Sequence, residues 1–575
     1  MRNRQGRRRR QNPHRGVVLI VVLVLVVMLS FAGFGFLSAM STEYEAVRLH
    51  GSLLQARQTL ASAESQLLWL ASQPRQRREI LGGLDNNPAL FQGRAVQALQ
   101  AAGADSNAGG AAAGTPDGGA AAAGRLQAES LLAGDDVWRF SVVSVDRPAG
   151  SAPVLRFGLS SESAKLHLGT VLRWEQTSAG AGRQALMKLP GMTEMLADSL
   201  LDWMDADDVP RPLGAESEYY QSLSLPVRPA NAVPAALHEL LSVRGMSSHL
   251  LFGVGSIEQP GVSDSGELMP SEPMLDPAAS GFPAATIDPT GVADSGTVPP
   301  VSVTRPLSEL LTVWSAERLM QPDGSPRVNV NQQDLNAIRS GLQGRVPESL
   351  VRYLLLARVY GLSAAVPVGV AEQTAAEVAL PTGAAAVQSL QSLGALVDSA
   401  VLVPGIGTRP AVLVRSPLQS VQADADQLFR QLQDAAAIDA TPTVPGRISL
   451  QAAPEEVLRC IPGISAEQAA GLVAQRARLQ PFERRSLLWP VRAGVLTVDQ
   501  WRSMLPEITD VGDVFQAELI VFRAVGGPLL RRKLILDAAA EKARRVYWMD
   551  LTETNLEFPL SRLLPAVTGT SQESI

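Results

Sequence analysis

The stretch Leu200–Tyr220, LLDWMDADDVPRPLGAESEYY, concentrates more reactive side chains than any other part of the chain. Seven carboxylates lie between Asp198 and Glu218 (Asp198, Asp202, Asp205, Asp207, Asp208, Glu216 and Glu218), with Arg211 as the only cation among them. Paired carboxylates can do general acid–base work, but that chemistry needs two acids whose pKa values are pushed apart by their surroundings. Seven crowded acids favour cation binding instead. A hard cation takes about six to eight oxygens, which closely spaced Asp and Glu on an irregular loop supply together with backbone carbonyls. The spacing does not match an EF-hand, so a solvated acidic loop stays open beside the metal reading. Asp198 and Asp202 sit at i and i+4 on the preceding helix and read as solvent-facing or capping. Arg228 and the Tyr219–Tyr220 pair read as fixing the loop, with Arg228 as a buried counter-charge.

Other chemistries lack their residues. Cys460 is the single cysteine and reads as a core residue, which excludes an intramolecular disulfide and a thiolate-rich metal site. The five histidines show no ligand-pair spacing. There is no phosphate loop, no nucleophile elbow and no H-E-x-x-H. The chain therefore reads as a non-enzyme with no small-molecule substrate.

The acidic stretch follows LPGMTEMLADSLLDWMD (Leu189–Asp205), and IPGISAEQAAGLVAQRA (Ile461–Ala477) has the same form. In both, a Pro-Gly turn opens a helix, the arrangement of a helix-hairpin-helix. Such hairpins bind DNA when glycine-rich backbone amides and nearby cations hold a phosphate. Here the second turn glycine is replaced by Thr193 and Ser465, and acids crowd the first hairpin. Screening over a Debye length of about 8 Å relieves that repulsion only in part, so no nucleic acid is expected. The alternative is a membrane-anchored hairpin protein that binds DNA, as in natural competence.

Residues 1–15 carry seven arginines and no acid, whereas the whole chain has a net charge of −6, so the remainder is acidic. Charge is absent from Gly16 to Thr42, and the apolar run Val17–Met40 is roughly 36 Å long as a helix, enough for a hydrocarbon core of about 30 Å. Preceding arginines predict a cytoplasmic N-terminus and a C-terminal mass on the far side. Helical spacing continues through STEYEAVRLHGSLLQARQTLASAESQLLWLAS, which predicts one long helix, half in lipid and half out.

At 575 residues the chain has room for about two to four domains. Its organisation reads as a basic leader 1–16, a membrane and pilin-like helix 17–72, and a Gly/Ala linker 101–124. A first part of a sheet (125–170) precedes a helical domain with the hairpin and acidic loop (171–253). A low-complexity insertion 254–305, a second helical region 306–510, C-terminal strands 511–552 and a tail 553–575 follow. Two strands are expected in DVWRFSVVSVD and PVLRFGLSSESAKLHL, and three more after Asp513 around VGG and in RRVYWMDL. Strands on both sides of a helical middle predict an α+β fold. In it the long helix packs on a small antiparallel sheet, with a large helical region of helix-hairpin-helix, SAM-like units inserted.

HRGVVLIVVLVLVVMLS resembles a type IV pilin-like signal, and the resemblance implies cleavage by a prepilin peptidase after Gly16, leaving Val17 as the new N-terminus. Ordinary pilins carry glutamate at the fifth mature position, which here is Val21. LRFGLSSESAKLHL, LPGM, DWMDADDVPRPLGAESEYY, LPVRPANAVPAALHELLSVRGM and RVNVNQQDLNAI, in that order, are similar to the general secretion pathway protein K family. That family comprises large minor pseudopilins of the type II secretion system. It too lacks the glutamate, so the resemblance implies that Val21 specifies a tip position. A subunit with nothing stacked above it needs no carboxylate for a neighbour's amine in the membrane. Also implied are other minor pseudopilins as partners, an inner-membrane location with a periplasmic C-terminal region, and calcium as cofactor. The expected calcium ligands are Asp205, Asp207, Asp208, Glu216 and Glu218.

Overall fold

The computed structural model describes residues 14–95, 137–147, 154–253, 305–363, 369–380, 386–405, 410–554, 556 and 558–564. The linker 101–124, nearly all of 254–305 and most of the leader and of the tail lie outside them. Two compact units divide the chain: Met1–Ala63, Gly93–Phe140 and Ile520–Leu530 in one; Glu64–Gln92, Ser141–Leu519 and Arg531–Ile575 in the other.

The uninterrupted helical pattern of the N-terminus folds as a single helix, α1, His14–Ser72, of 59 residues. Its residues Leu19–Met40 are exposed, and Leu19–Ser72 is the one helix among the described residues long and apolar enough to cross a membrane. Further along, small and apolar residues at helical spacing turn inward: Ala56, Leu60 and Ala63 in the first unit, and Leu67, Leu70 and Ala71 in the second. In the first unit Trp138 Nε1 donates to Gln55 Oε1 at 3.0 Å. In the second, Arg545 Nη1 meets Glu64 Oε1 at 2.6 Å.

Pro74 stops α1 and opens α2, Arg75–Ile80. Its arginines reach carboxylates far along the chain: Arg75 bonds Asp510 at 3.1 Å and also Asp434, and Arg78 bonds Asp513 at 3.0 Å.

The strands are β1 Arg94–Ala95, β2 Arg139–Asp146, β3 Val154–Phe157, β4 Ser160–Ser161, β5 Val514–Phe522, β6 Leu530–Asp537 and β7 Arg544–Asp550. The sheet of the second unit runs β2-β5-β6-β7, with β3 along β2 and β4 along β5. β2 and β3 pair antiparallel from Val143↔Phe157 to Asp146↔Val154, and β6 and β7 from Arg532↔Asp550 to Asp537↔Arg544. In the first unit β1 pairs with Phe140 and Arg139. The sheet is thus built from strands about 350 residues apart in the chain, with the helical region between them. The three C-terminal strands fall where the VGG turn predicted. The expected second strand does not run through to His167. Gly158, at φ +150 and pressed against the carbonyl of Leu84, breaks it after Phe157, and a 3-10 turn occupies Glu162–Ala164.

The intervening region buries one apolar core that runs from Leu166 to Ile508 and includes Cys460. Its early helices are α3 Leu168–Thr177, α4 Ala181–Met187, α5 Glu194–Met204 and α6 Ser217–Gln221. Later come α7 Leu335–Leu342, capped by Asp334, and α8 Glu348–Tyr360. The ambiguous stretch after Leu362 holds short strands, Ala371–Gln373 and Ala400–Val403, both paired with Val412–Arg415. The architecture is therefore mixed α+β, with a long apolar N-terminal helix and small sheets. Among the buried polar groups, Glu317 accepts from Arg327 at 2.7 Å and from Arg447 at 3.0 Å.

Candidate metal centre

The centre begins at the turn between α4 and α5. Gly191 at φ +74 takes a left-handed conformation that a side chain resists, and Thr193 Oγ1 then accepts from Leu196 N to cap α5. Leu196, Ala197, Leu200, Leu201, Trp203 and Met204 are all buried, so beyond its first two residues α5 has no wet face. Its acids go inside with them: Asp198 is 2% exposed and Asp202 0%. This corrects the expectation that they face solvent.

Burial is tolerable because both are bonded. Asp198 Oδ1 accepts from Arg183 Nε at 2.5 Å and Oδ2 from Leu213 N at 3.3 Å. Asp202 accepts from the backbone of Arg211 at 3.1 Å and from its Nη1 at 2.6 Å. These bonds fold the loop 205–216 back against the helix. The approach is close enough that a Cβ on Gly214 would lie 1.8 Å from Asp202 Oδ2. Arg228 is exposed, so the counter-charge is Arg211, whose Nη1 also reaches Asp205 Oδ2 at 2.6 Å.

The far end of the loop is fastened by aromatic contacts. Trp203 and Tyr220 meet edge to face at 5.0 Å, and Arg244 lies 4.8 Å over the ring of Tyr219. Arg244 also donates to Gly214 O at 3.1 Å. Asn231 donates through Nδ2 to Asp207 O, and through its backbone to Trp203 O. Arg183 and Arg244 are not among the residues that the sequence singles out. Neither has a local signal, because each meets its partner only through the fold.

Held this way, Asp205, Asp207 and Glu216 bring one carboxylate oxygen each to within 4.8 Å of one another. Glu216 is 3% exposed, and neither of its oxygens has a hydrogen-bond partner; Asp205 Oδ1 is likewise buried and unpartnered. Burial first, and then the charges of Asp202, Asp205, Asp208 and Asp207, push the Glu216 carboxyl up to about 7. Burial also raises Asp205 and Asp202, although Arg211 opposes the shift in both. Unpartnered buried carboxylates cost free energy unless something positive meets them. Oxygen-only donors of this kind suit a hard divalent cation.

The other expected ligands lie apart from this group. Asp208 Oδ1 accepts from Ser217 N at 3.2 Å, and Glu218 is exposed on α6. Gly16 and Val17 lie in the backbone of α1, and Val21 is exposed on it.

The sequence model of a family described as "Type II secretion system (T2SS), protein K" matches residues 171–252, the segment from α3 past the acidic loop. No curated protein matches the chain. A solved structure is titled "The Crystal Structure of the GspK-GspI-GspJ complex from enterotoxigenic Escherichia coli Type 2 Secretion System". It is similar to this chain at 11% identity and a TM-score of 0.30, over 88% of this chain and 98% of that one.

Proposed function

We propose that the chain is a minor pseudopilin of the type II secretion system, as the match of the protein K family model to residues 171–252 supports, and that it caps the pseudopilus tip and holds calcium in its acidic loop. The observation that carries the function is the family match across the loop, in a chain with one long apolar helix near its N-terminus.

In this reading the protein is a non-enzymatic assembly component. The prepilin peptidase cuts after Gly16, and the arginine-rich leader keeps the N-terminus cytoplasmic. α1 anchors the protein once in the inner membrane, and the rest lies in the periplasm against other minor pseudopilins. Val21 puts an apolar side chain where a stacked subunit would need a carboxylate, which supports the tip position. The two Pro-Gly turns are helix-hairpin-helix units used for packing, because buried acids follow the first of them. Immunogold labelling of pseudopili tests the placement. Label at one end supports the tip, and label along the shaft overturns it.

Asp205, Asp207 and Glu216 would hold the calcium, with Asp208 and Glu218 as further candidates from the same loop. The support is chemical: buried carboxylate oxygens lacking any donor, in an all-oxygen set. When bound, calcium would neutralise this end of the loop and stiffen it. Titration of CaCl2 into the metal-free full chain in detergent, followed by calorimetry, is expected to show saturable binding that Glu216→Gln abolishes. No heat of binding in the wild type ends the calcium reading and leaves the secretion function standing.

A further inference from the structure

α2 is fastened within the second unit without burying an apolar side chain. Arg78 is its only buried residue, and its one apolar residue, Ile80, is 78% exposed. Charge holds it instead. Arg75 meets Asp510 at 3.1 Å and also Asp434, and Arg78 meets Asp513 at 3.0 Å. The Arg78 guanidinium also lies 5.5 Å from the centre of the Phe515 ring, and Glu79 pairs with Arg485.

Arg485 ends a tight turn that follows the helix Ala466–Arg478. Within it Gln480 N donates to Glu483 Oε2 at 2.7 Å, and Arg484 Nε donates to Leu479 O at 3.0 Å. At its tip Phe482 is 64% exposed. The Glu79–Arg485 pair joins this turn to α2, and the charge of Arg484 bears on Asp85, just beyond Ile80. Ile80 and Phe482 thus stand on neighbouring segments, each fixed by polar bonds. The acids of this surface are already engaged by the fold: Glu79 by Arg485, Glu483 by Gln480 N, and Asp85 by Arg156 at 2.8 Å. Two of its cations face water. Arg77 lies one turn before Ile80 and so shares its face of α2, and Arg478 ends the helix that leads to Phe482; both are exposed.

We propose that Ile80 and Phe482, with Arg77 and Arg478 beside them, form a docking surface for an acidic protein segment that carries apolar side chains. Apolar groups on segments already fixed by ion pairs lose little freedom when a partner covers them. The two exposed arginines attract carboxylates on that partner and repel a basic one. No residue of this surface belongs to the acidic loop, so the proposal stands apart from the calcium reading.

The test uses the full chain in detergent and a fluorescein-labelled synthetic peptide of aspartates interrupted by phenylalanines, followed by anisotropy. Saturable binding that weakens as salt rises is expected. Phe482→Ser and Arg77→Glu are each expected to weaken it by about tenfold or more, the effect of losing an interface anchor. Arg77→Lys, which keeps the charge, is expected to stay near wild type. No binding by the wild type overturns the proposal. A peptide with lysines in place of the aspartates and a peptide of aspartates alone are both expected to fail to saturate. Equal binding of the first would mean a surface that selects no charge, and equal binding of the second a surface that takes any anion; either overturns the proposal. Ile80→Ser, melted beside the wild type, separates docking from folding. Weaker binding at an unchanged melting temperature supports the proposal, and binding that falls only together with the melting temperature overturns it.

Discussion

Glu317 and Glu216 are both glutamates with almost no exposed surface, and the fold treats them in opposite ways. Glu317, at 2% exposure, has Arg327 at 2.7 Å on one oxygen and Arg447 at 3.0 Å on the other. Burial alone would raise its carboxyl, but the two arginines outweigh that and hold it below the ordinary glutamate range. Glu216, at 3% exposure, has no donor on either oxygen and four aspartates as its electrostatic neighbours, and is pushed up to about 7. A buried acid with its own cations is part of the scaffold. A buried acid among other acids is stable only if the protein gains a proton or a cation from outside. This contrast separates a structural ion pair from a candidate metal site, and it is open to attack from either side.

The largest effect is expected at the scaffold acid. Glu317→Ala leaves Arg327, whose side chain is 5% exposed, and Arg447 without their shared partner. Breaking such a buried set by removing one member costs about 3–5 kcal/mol. Chemical denaturation is expected to show that loss equally in calcium and in chelator. A loss that calcium restores would mean that Glu317, too, belongs to a metal-responsive network.

Glu216 is expected to behave in the reverse sense. Calcium at about 100 times its Kd stabilises a single-site protein by about 2.7 kcal/mol, and Glu216→Gln should forfeit that increment. In chelator, the pH dependence carries its own sign. The folded-state pKa of Glu216 is raised from 4.5 to about 7. Its contribution is therefore fully present below about 4.5 and is lost as pH rises through 7, where the ionised form is disfavoured in the fold. Metal-free wild type should lose on the order of 1–3 kcal/mol across that window relative to Glu216→Gln. Glu317 has the opposite sign, since its lowered carboxyl gives stability above the ordinary glutamate pKa that is lost as pH falls. A wild type whose slope between pH 4.5 and 7 matches that of Glu216→Gln would remove Glu216 from the list of strained acids.

Part of the fold and of the acidic loop is visible in the sequence. The charge-free run after Gly16, the strands around VGG and the crowding of Asp205, Asp207 and Glu216 on one loop all follow from local pattern. The direction in which Asp198 and Asp202 point does not follow from their spacing, because an i, i+4 pair fixes a shared face and not what that face meets. The cue was in the neighbours: a helix apolar on every other side is a buried helix, and its acids are buried with it. Arg228 reads as the counter-charge from the sequence, yet the counter-charge is Arg211, the arginine inside the loop itself. Glu317 gave no local signal at all. Its partners stand 10 and 130 residues away, and only the packing of distant strands brings them together.

The smallest expected effect falls on Asp208, which lies between the two kinds of acid. Its Oδ1 accepts from Ser217 N at 3.2 Å, a bond that closes the loop just beyond Glu216, and its side chain is exposed. If that bond is its whole role, Asp208→Ala costs about 1 kcal/mol, the usual net worth of one hydrogen bond. The cost should then be the same with and without calcium. The charge of Asp208 also bears on Glu216, so its removal should bring the Glu216 carboxyl down and flatten the metal-free pH slope slightly. If Asp208 is instead a ligand, its loss should weaken calcium binding by about tenfold or more and leave the chelated protein nearly unchanged. Melting curves of Asp208→Ala in calcium and in chelator separate the two outcomes, because a loop-closing bond lowers both curves and a ligand lowers only the first.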